Sequence, residues 1–279
     1  MGELMDYTLL DSGDGQKLES FGRVTLIRPS SIAVWPKTVP KLWSQTAAQY
    51  VREGNSGFWQ LFTEIPPEWI ISISNVHCLL KMTSFGHLGI FPEHTKFWPT
   101  LQRAIEQCAQ CRVLNLFAYT GVSSIFAAQC GARVTHVDAS KAAVRWAEKN
   151  VEISGLSEKR IFWVIEDVIT FLKKEIRRKK SYDIILLDPP TYGRGSEGEI
   201  FKIDRDFFFL LFLCSQLLAD SSTYVLITSH TPGHTPEFLR SLARRSIRRV
   251  SPEKWSCGEN FCGEGEKALP SGSFVAWSL

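Results

Sequence analysis

The chain lacks any apolar run long enough to make a membrane-spanning helix. Its most apolar stretch, FFFLLFLCSQLLA at 207–219, is thirteen residues flanked by Asp206 and Asp220. A bilayer needs ~18 such residues, so a buried helix is expected here and no membrane association. The opening MGELMDYTLLDSGDGQ has acids but no basic stretch ahead of an apolar run, and a secretory signal is not expected there. Charge of one sign is lacking too. With a formal net charge of +3, any nucleic-acid binding must come from local patches. Cysteine offers no disulfide framework: seven is an odd count, scattered along the chain, so reduced thiols and a cytoplasmic location are expected. The pairs Cys108/Cys111 and Cys257/Cys262 supply four thiols, but they lie far apart and the second has an unusual spacing. Ordinary thiols are the better reading, and no metal is expected.

What is present describes a folded protein. At 44% apolar and 22% charged the chain is too balanced for disorder. Its 279 residues exceed one average domain, which points to one large or two unequal domains. From about residue 100, strand-like runs at 112–117, 133–138, 160–165, 182–188 and 223–229 alternate with helix-like runs at 122–129, 140–153, 167–178, 204–219 and 236–245. Continuous apolar runs such as Ile184 to Leu187 suit strands covered on both faces of a parallel sheet. The expected fold is therefore α/β, a doubly wound sheet with right-handed crossovers. Strand candidates at 247–251 and 273–278 are expected to close it as an antiparallel hairpin. Residues 1–85 read as a small α+β accessory domain that positions substrate, with strands at 24–28, 58–62, 69–74 and 76–81 and one helix at 41–50; residues 86–279 form the second domain.

VLNLFAYTGVSS at 113–124 reads as strand, tight turn and helix, the opening of a nucleotide site in such a sheet. Yet the turn Ala118-Tyr119-Thr120-Gly121 has one glycine where a dinucleotide loop has three. Those glycines admit a pyrophosphate and close helix packing. S-adenosylmethionine has no phosphate, and its carboxylate needs one flexible turn residue beside a helix N-terminus. Gly121 and the helix from Val122 meet that need, so S-adenosylmethionine is expected rather than NAD. Three further marks fall at strand ends: Asn115, Asp138 and Asp167. A carboxylate at the end of the second strand suits both ribose hydroxyls, and Asp167 suits an exocyclic amine of adenine. The alternative for either is a simple helix cap.

The fourth strand runs into LLDPPTYGRG at 186–195. Asp188 stands where a methyl group would be transferred, Pro190 holds Pro189 extended, and Tyr192 can stack on a planar base. Carboxylate and backbone carbonyl together can accept both hydrogens of an amine and aim its lone pair at a sulfonium.

NLFAYTG, VDAS, the acid at 167 and LDPP, in this order, resemble the class I S-adenosylmethionine-dependent methyltransferases. Within them they are most similar to the RlmI-like ribosomal RNA methyltransferases, over about residues 76–235. FGHLGIFPEH at 85–94 resembles the segment that covers the cofactor in that family. The resemblance implies a Rossmann-like methyltransferase sheet. It also implies cofactor contacts from Phe117, Tyr119, Gly121, Asp138, Asp167 and Asp188, with Asn115, Thr120, Ala139 and Ser140 in the same motifs and Phe91 and Pro92 closing over them. Asp188, Pro189, Pro190 and Tyr192 would serve catalysis. One departure stands out. Methylation of cytosine at carbon 5 needs a thiolate to attack carbon 6. Where the resembling enzymes carry that cysteine, after the fifth strand, this chain has VLITSHTPGHTP at 225–236, with Ser229 and His230. A nitrogen or oxygen acceptor is expected, with His230 either a general base or a structural hydrogen-bonder.

RNA, ribosomal by the resemblance, is the expected partner. Arg194, Lys202 and Arg205 beside the DPP turn are placed to flank it. The clusters at 173–180 and 240–249 are either phosphate contacts or solvated helix faces. The competing readings are a protein or small-molecule N- or O-methyltransferase and a catalytically silent RNA-binding module of the same fold.

Overall fold

The computed structural model describes residues 6–54, 56–156, 160–195, 198–247 and 254–278. Contacts divide the chain into two compact units: Met1–Glu93 with Phe261–Pro270, and His94–Asn260 with Ser271–Leu279. The sequence placed a single cut near residue 85. The structure instead extends the first unit to Glu93 and adds a segment from near the far end of the chain.

The first unit holds β1 (Tyr7–Gly13), β2 (Gln16–Phe21), β3 (Val24–Pro29), α1 (Pro40–Trp43), β4 (Ala48–Glu53), β5 (Ser56–Leu61), β6 (Trp69–Ile73) and β7 (Val76–Leu80). The first five strands form one sheet in sequence order, and β6 and β7 form a hairpin. The turn from β1 to β2 is Asp14-Gly15, both at positive φ (52° and 73°), the pattern of a two-residue hairpin turn.

The expected helix at 41–50 is corrected. Pro40 starts only one helical turn, and the chain then enters β4. Ala48 and Tyr50 are buried while Gln49 and Val51 are only half-buried, a period of two that places β4 between β3 and β5. The buried Asp11 carboxylate gathers the segment before it, accepting from the Trp43 indole at 2.8 Å, the Thr38 hydroxyl at 2.6 Å and the Val39 N–H at 2.9 Å. Burial would raise its pKa, but these bonds outweigh burial and hold it below the usual value.

The second unit runs α2 (Trp98–Glu106), β8 (Arg112–Leu116), α3 (Val122–Gln129), β9 (Arg133–Asp138), α4 (Lys141–Ile153), β10 (Ile161–Ile165), α5 (Val168–Arg177), β11 (Ile184–Leu187), β12 (Tyr192–Arg194), β13 (Ile200–Lys202), α6 (Ile203–Leu217), β14 (Tyr224–Ser229), α7 (Pro236–Ser246), β15 (Trp255–Cys262) and β16 (Leu269–Ser278), the last two carrying chain into the first unit. Seven strands form one sheet in the order β10-β9-β8-β11-β14-β16-β15, and β12 with β13 makes a separate ribbon. From β10 to β14 all pairings are parallel, and β16 runs antiparallel to β14. This is the doubly wound α/β sheet read from the sequence, with its strand order reversing beside β8 and β11.

The apolar strands are covered on both faces, as their composition requires. Leu114, Leu116, Leu187 and Ile227 share one core with Phe171 of α5, Leu210 of α6 and Leu239 of α7. Trp98 of α2 stacks on Phe126 of α3 at 4.3 Å. Residues 207–219 are mostly helix, as expected; α6 buries Phe207, Leu210, Leu211 and Cys214 and leaves Phe208, Phe209 and Phe212 exposed. No helix among the described residues is long and apolar enough to cross a membrane. The expected closing strand at 247–251 lies almost wholly outside the described residues, and β15 precedes the final strand instead.

Candidate active site

The carboxyl ends of β8, β9, β11 and β14 lie side by side, where ligands bind in such sheets. After β8 the backbone turns through Phe117, Tyr119 and Gly121, all at positive φ (54°, 51° and 76°). The left-handed conformation costs a non-glycine residue ~1–3 kcal/mol, and such strain collects at functional sites. At Gly121 glycine is required twice over. Besides its φ, a Cβ there would stand 2.8 Å from the Ala147 Cβ on α4.

Asp138 ends β9 and holds this turn. Its Oδ2 accepts the Tyr119 N–H at 2.8 Å and its Oδ1 accepts the Ser140 N–H at 2.8 Å. Burial raises its pKa, and those two bonds offset the burial only in part. A carboxylate oxygen has more than one acceptor direction, so both oxygens can still take a hydroxyl. Ser140 is the N-cap of α4, its hydroxyl accepting the Ala143 N–H at 3.2 Å. Ala139 is half-buried between them. Thr120 is buried, and its carbonyl accepts from the Asn150 amide at 2.9 Å.

Under the turn runs a buried polar chain that the sequence did not disclose. The Asn115 amide donates to Ser124 Oγ at 2.9 Å, and Ser124 Oγ lies 3.1 Å from His136 Nδ1. His136 also bonds the Tyr119 backbone, and burial drives its pKa down to about 3, so its ring is neutral. Asp167, half-buried, caps α5 by accepting the Thr170 N–H at 2.8 Å, the cap weighed against an adenine contact. The Phe117 ring packs on Phe201 at 5.2 Å and the Tyr119 ring faces Trp146 at 6.1 Å. Phe91 and Pro92 belong to the first unit, where Phe91 meets His87 edge-on and Pro92 opens a 3₁₀ turn.

Asp188 follows β11 and is braced by the Thr228 hydroxyl of β14, which donates to Oδ1 at 2.5 Å. Pro189 is buried and Pro190 exposed. Two imidazoles converge on the carboxylate: His94 Nε2 lies 3.6 Å from Oδ2, and His230 Nε2 lies 3.6 Å from Oδ1. The two Nε2 atoms are 3.4 Å apart. His94 was not singled out by sequence, since nothing there ties it to Asp188. Asn115, Trp98, Ser123, Asp188, Thr228 and His94 line one small cleft. Ser229 turns away from it, bonding His234 Nδ1 at 2.9 Å, while His234 stacks on Phe207 and Phe238. A larger cleft of about 470 Å³ opens at the opposite strand ends beside Arg112, where the carboxylate of Asp183 accepts from its guanidinium at 3.1 Å. Strand polarity argues against that end as a cofactor site.

Tyr192 is half exposed on the β12–β13 ribbon, directly across from Lys202. Arg205 donates to both oxygens of Asp206 and to the Ile200 carbonyl, so it holds the base of this ribbon. Of the basic cluster at 173–180, Lys174 pairs with Glu166 and Arg178 with Glu175.

A left-handed turn after the first central strand, a largely buried acid ending the second and an acid–proline turn after the fourth mark the ligand-binding end of an enzyme of the doubly wound class. Residues 71–253 match the S-adenosylmethionine-dependent methyltransferase family, and the chain belongs to that family. It is 31% identical over 74% of its length to the ribosomal RNA large subunit methyltransferase K/L of Pseudomonas putida KT2440, and 33% identical over 74% to that of Pseudomonas aeruginosa PAO1. It spans about a quarter (26%) of the length of these relatives. Among solved structures, an S-adenosylmethionine-dependent methyltransferase from Agrobacterium tumefaciens superposes with a TM-score of 0.92 at 34% identity, over 99% of this chain and 91% of that one. A methyltransferase complexed with S-adenosylhomocysteine shares the fold, with a TM-score of 0.75 at 19% identity over all of this chain and 76% of the other.

The cofactor is S-adenosylmethionine. The site fits it: a single-glycine turn whose Gly121 leaves no room for a Cβ, and a largely buried acid at the end of β9.

Proposed function

We propose that the chain methylates a nitrogen of a nucleobase in RNA, ribosomal RNA above all, as a member of the RlmI-like branch. The observation that carries this reading is the pairing of Asp188 with strand ends that, among the described residues, carry no cysteine. The strand ends around Asp188 present Thr228, Ser229, His230 and Thr231. Cys214, the nearest in sequence, is buried in α6 with its pKa pushed up to about 12 by burial. A thiol in that state is not a nucleophile. The naming of the Pseudomonas relatives as ribosomal RNA methyltransferases supports RNA as substrate.

In this reading Asp138 holds the ribose, the turn at Phe117–Gly121 shapes the pocket and Asp167 faces the adenine. S-adenosylmethionine supplies an already activated methyl group. The protein's part is then mostly orientation. Asp188 and the Pro189 backbone carbonyl accept from the acceptor amine, and Tyr192 stacks on its ring, with Arg194 and Lys202 beside the phosphates. The first unit positions the RNA, and the setting is the cytoplasm. The test is nucleoside mass spectrometry of ribosomal RNA after incubation with protein and isotopically labelled S-adenosylmethionine. Label on a base nitrogen is expected; label on carbon 5 of cytosine, or only on protein or small amines, overturns the reading.

A further inference from the structure

His94, Asp188 and His230 come from three separate segments: the 3₁₀ turn before α2, the end of β11 and the end of β14. One nitrogen from each histidine and one oxygen of Asp188 lie within 4.8 Å of one another. The two Nε2 atoms are 3.4 Å apart, and each lies 3.6 Å from its own carboxylate oxygen, His94 from Oδ2 and His230 from Oδ1. A tetrahedral ion with ~2.1 Å bonds spaces its ligands about 3.4 Å apart, so each of these separations is close to a ligand edge, and a small turn of the carboxylate brings one oxygen to both nitrogens. The chemistry agrees with the size. Two imidazole nitrogens and a carboxylate converge there, and each can offer a lone pair to a cation.

We propose that His94, Asp188 and His230 form a binding site for a divalent first-row transition ion such as zinc. Two imidazoles and one carboxylate are the donor set of catalytic zinc sites, and they do not suit magnesium or calcium, which take oxygen. Three protein ligands leave a fourth position, open to water or to an oxygen or nitrogen of the acceptor. Thr228 supplies the outer support, fixing Asp188 through Oδ1. The place of this ion in catalysis rests on the reading of Asp188 as the residue that orients the acceptor; its binding does not. The expectation of no metal arose because sequence spacing separates all three ligands.

The probe is cobalt(II), whose visible spectrum reports its ligands. The full chain is expected to bind one equivalent with nitrogen and oxygen coordination and no thiolate charge-transfer band. Loss of supporting residues alone weakens metal sites about 10- to 100-fold, so His94→Ala and His230→Ala should each weaken binding by at least about tenfold. Retained S-adenosylhomocysteine affinity shows that each variant is folded. Where a variant does not fold, the wild-type protein decides. Cobalt should broaden the imidazole NMR signals of two histidines, His94 and His230, and leave those of His77, His87, His136 and His234. Equal cobalt affinity in the variants, thiolate bands, no saturable binding, or broadening centred on other histidines overturns the site. Methylation of RNA without cobalt binding leaves the proposed function standing and removes only the ion. Cobalt binding without methylation of RNA does the reverse.

Discussion

Asp138 Oδ2 accepts the Tyr119 N–H at 2.8 Å, so the residue that ends β9 also fixes the left-handed turn that follows β8. In the proposed site one acid would therefore act as both ligand and brace. Asp138→Ala is expected to weaken S-adenosylhomocysteine binding by ~1–3 kcal/mol, about five- to a hundred-and-fifty-fold in Kd, by calorimetry. Full affinity in that variant would remove Asp138 from the site.

The raised pKa of Asp138 gives this binding a pH signature. Burial is the larger cause, opposed by the Ser140 and Tyr119 N–H groups. Affinity should hold above the folded pKa and fall as pH drops through it, starting above the ~3.9 of an ordinary aspartate. The ligand-free protein runs the other way. The raised value means that the folded state takes up the proton more readily, so this residue contributes stability at low pH that is lost as pH rises. Kd followed from pH 4 to 7 should show the first trend, and the melting-temperature difference between the parent and Asp138→Asn, in which the contribution of His136 cancels, should show the second.

Gly121→Ala meets both a positive φ and the Ala147 Cβ at 2.8 Å. Neither the turn nor the α4 backbone beneath it can give way cheaply. A loss of at least about 1 kcal/mol in urea unfolding is expected, with weaker cofactor binding. A variant as stable as the parent would mean that the turn is not held as described.

His136 titrates at about 3 in the folded protein because it is buried, against ~6.5 when unfolded. A lowered value contributes stability above pH 6.5 that is lost as pH falls toward 3. Between pH 7 and pH 5 the loss should be about 2 kcal/mol. His136→Gln should remove that part of the acid sensitivity, measured by urea unfolding at the two pH values, whatever it does to stability at pH 7.

Asp188→Ala should abolish turnover while leaving most cofactor affinity, because in the proposed function the residue serves the acceptor rather than the donor. RNA containing 5-fluorocytosine should form no covalent species on a denaturing gel, and Cys214→Ala should remain active. A trapped adduct would mean that a thiol reaches the base.

The second unit was legible because each of its strands is a short apolar run between polar breaks. All five expected strands, at 112–117 through 223–229, lie within two residues of β8, β9, β10, β11 and β14. The first unit was less so. Residues 41–50 lack a strong period, and pairing between β3 and β5 decided for strand where local propensity leaned to helix. β1 and β2 escaped the sequence reading although Asp14-Gly15 between them is a strong hairpin signal. In the site, the motif residues could be read because strand ends place them. The Asn115–Ser124–His136 chain and the approach of His94 to Asp188 could not, since both depend on side chains brought together by packing.

The first unit has a consequence for biosynthesis. Its second piece, Phe261–Pro270, is translated after nearly all of the second unit. That piece is no loose tail: Leu269 packs with Leu9 and Ala33, Lys267 donates to the Leu10 carbonyl at 3.2 Å, and a Cβ at Gly263 would touch Leu9 at 2.9 Å. On the ribosome, domains tend to fold as they emerge, N-terminal first. Here the part made first waits for residues made after most of the second unit, so during synthesis the N-terminal sheet, whose five strands are already in hand, must persist without its late-made packing segment while the second sheet takes shape.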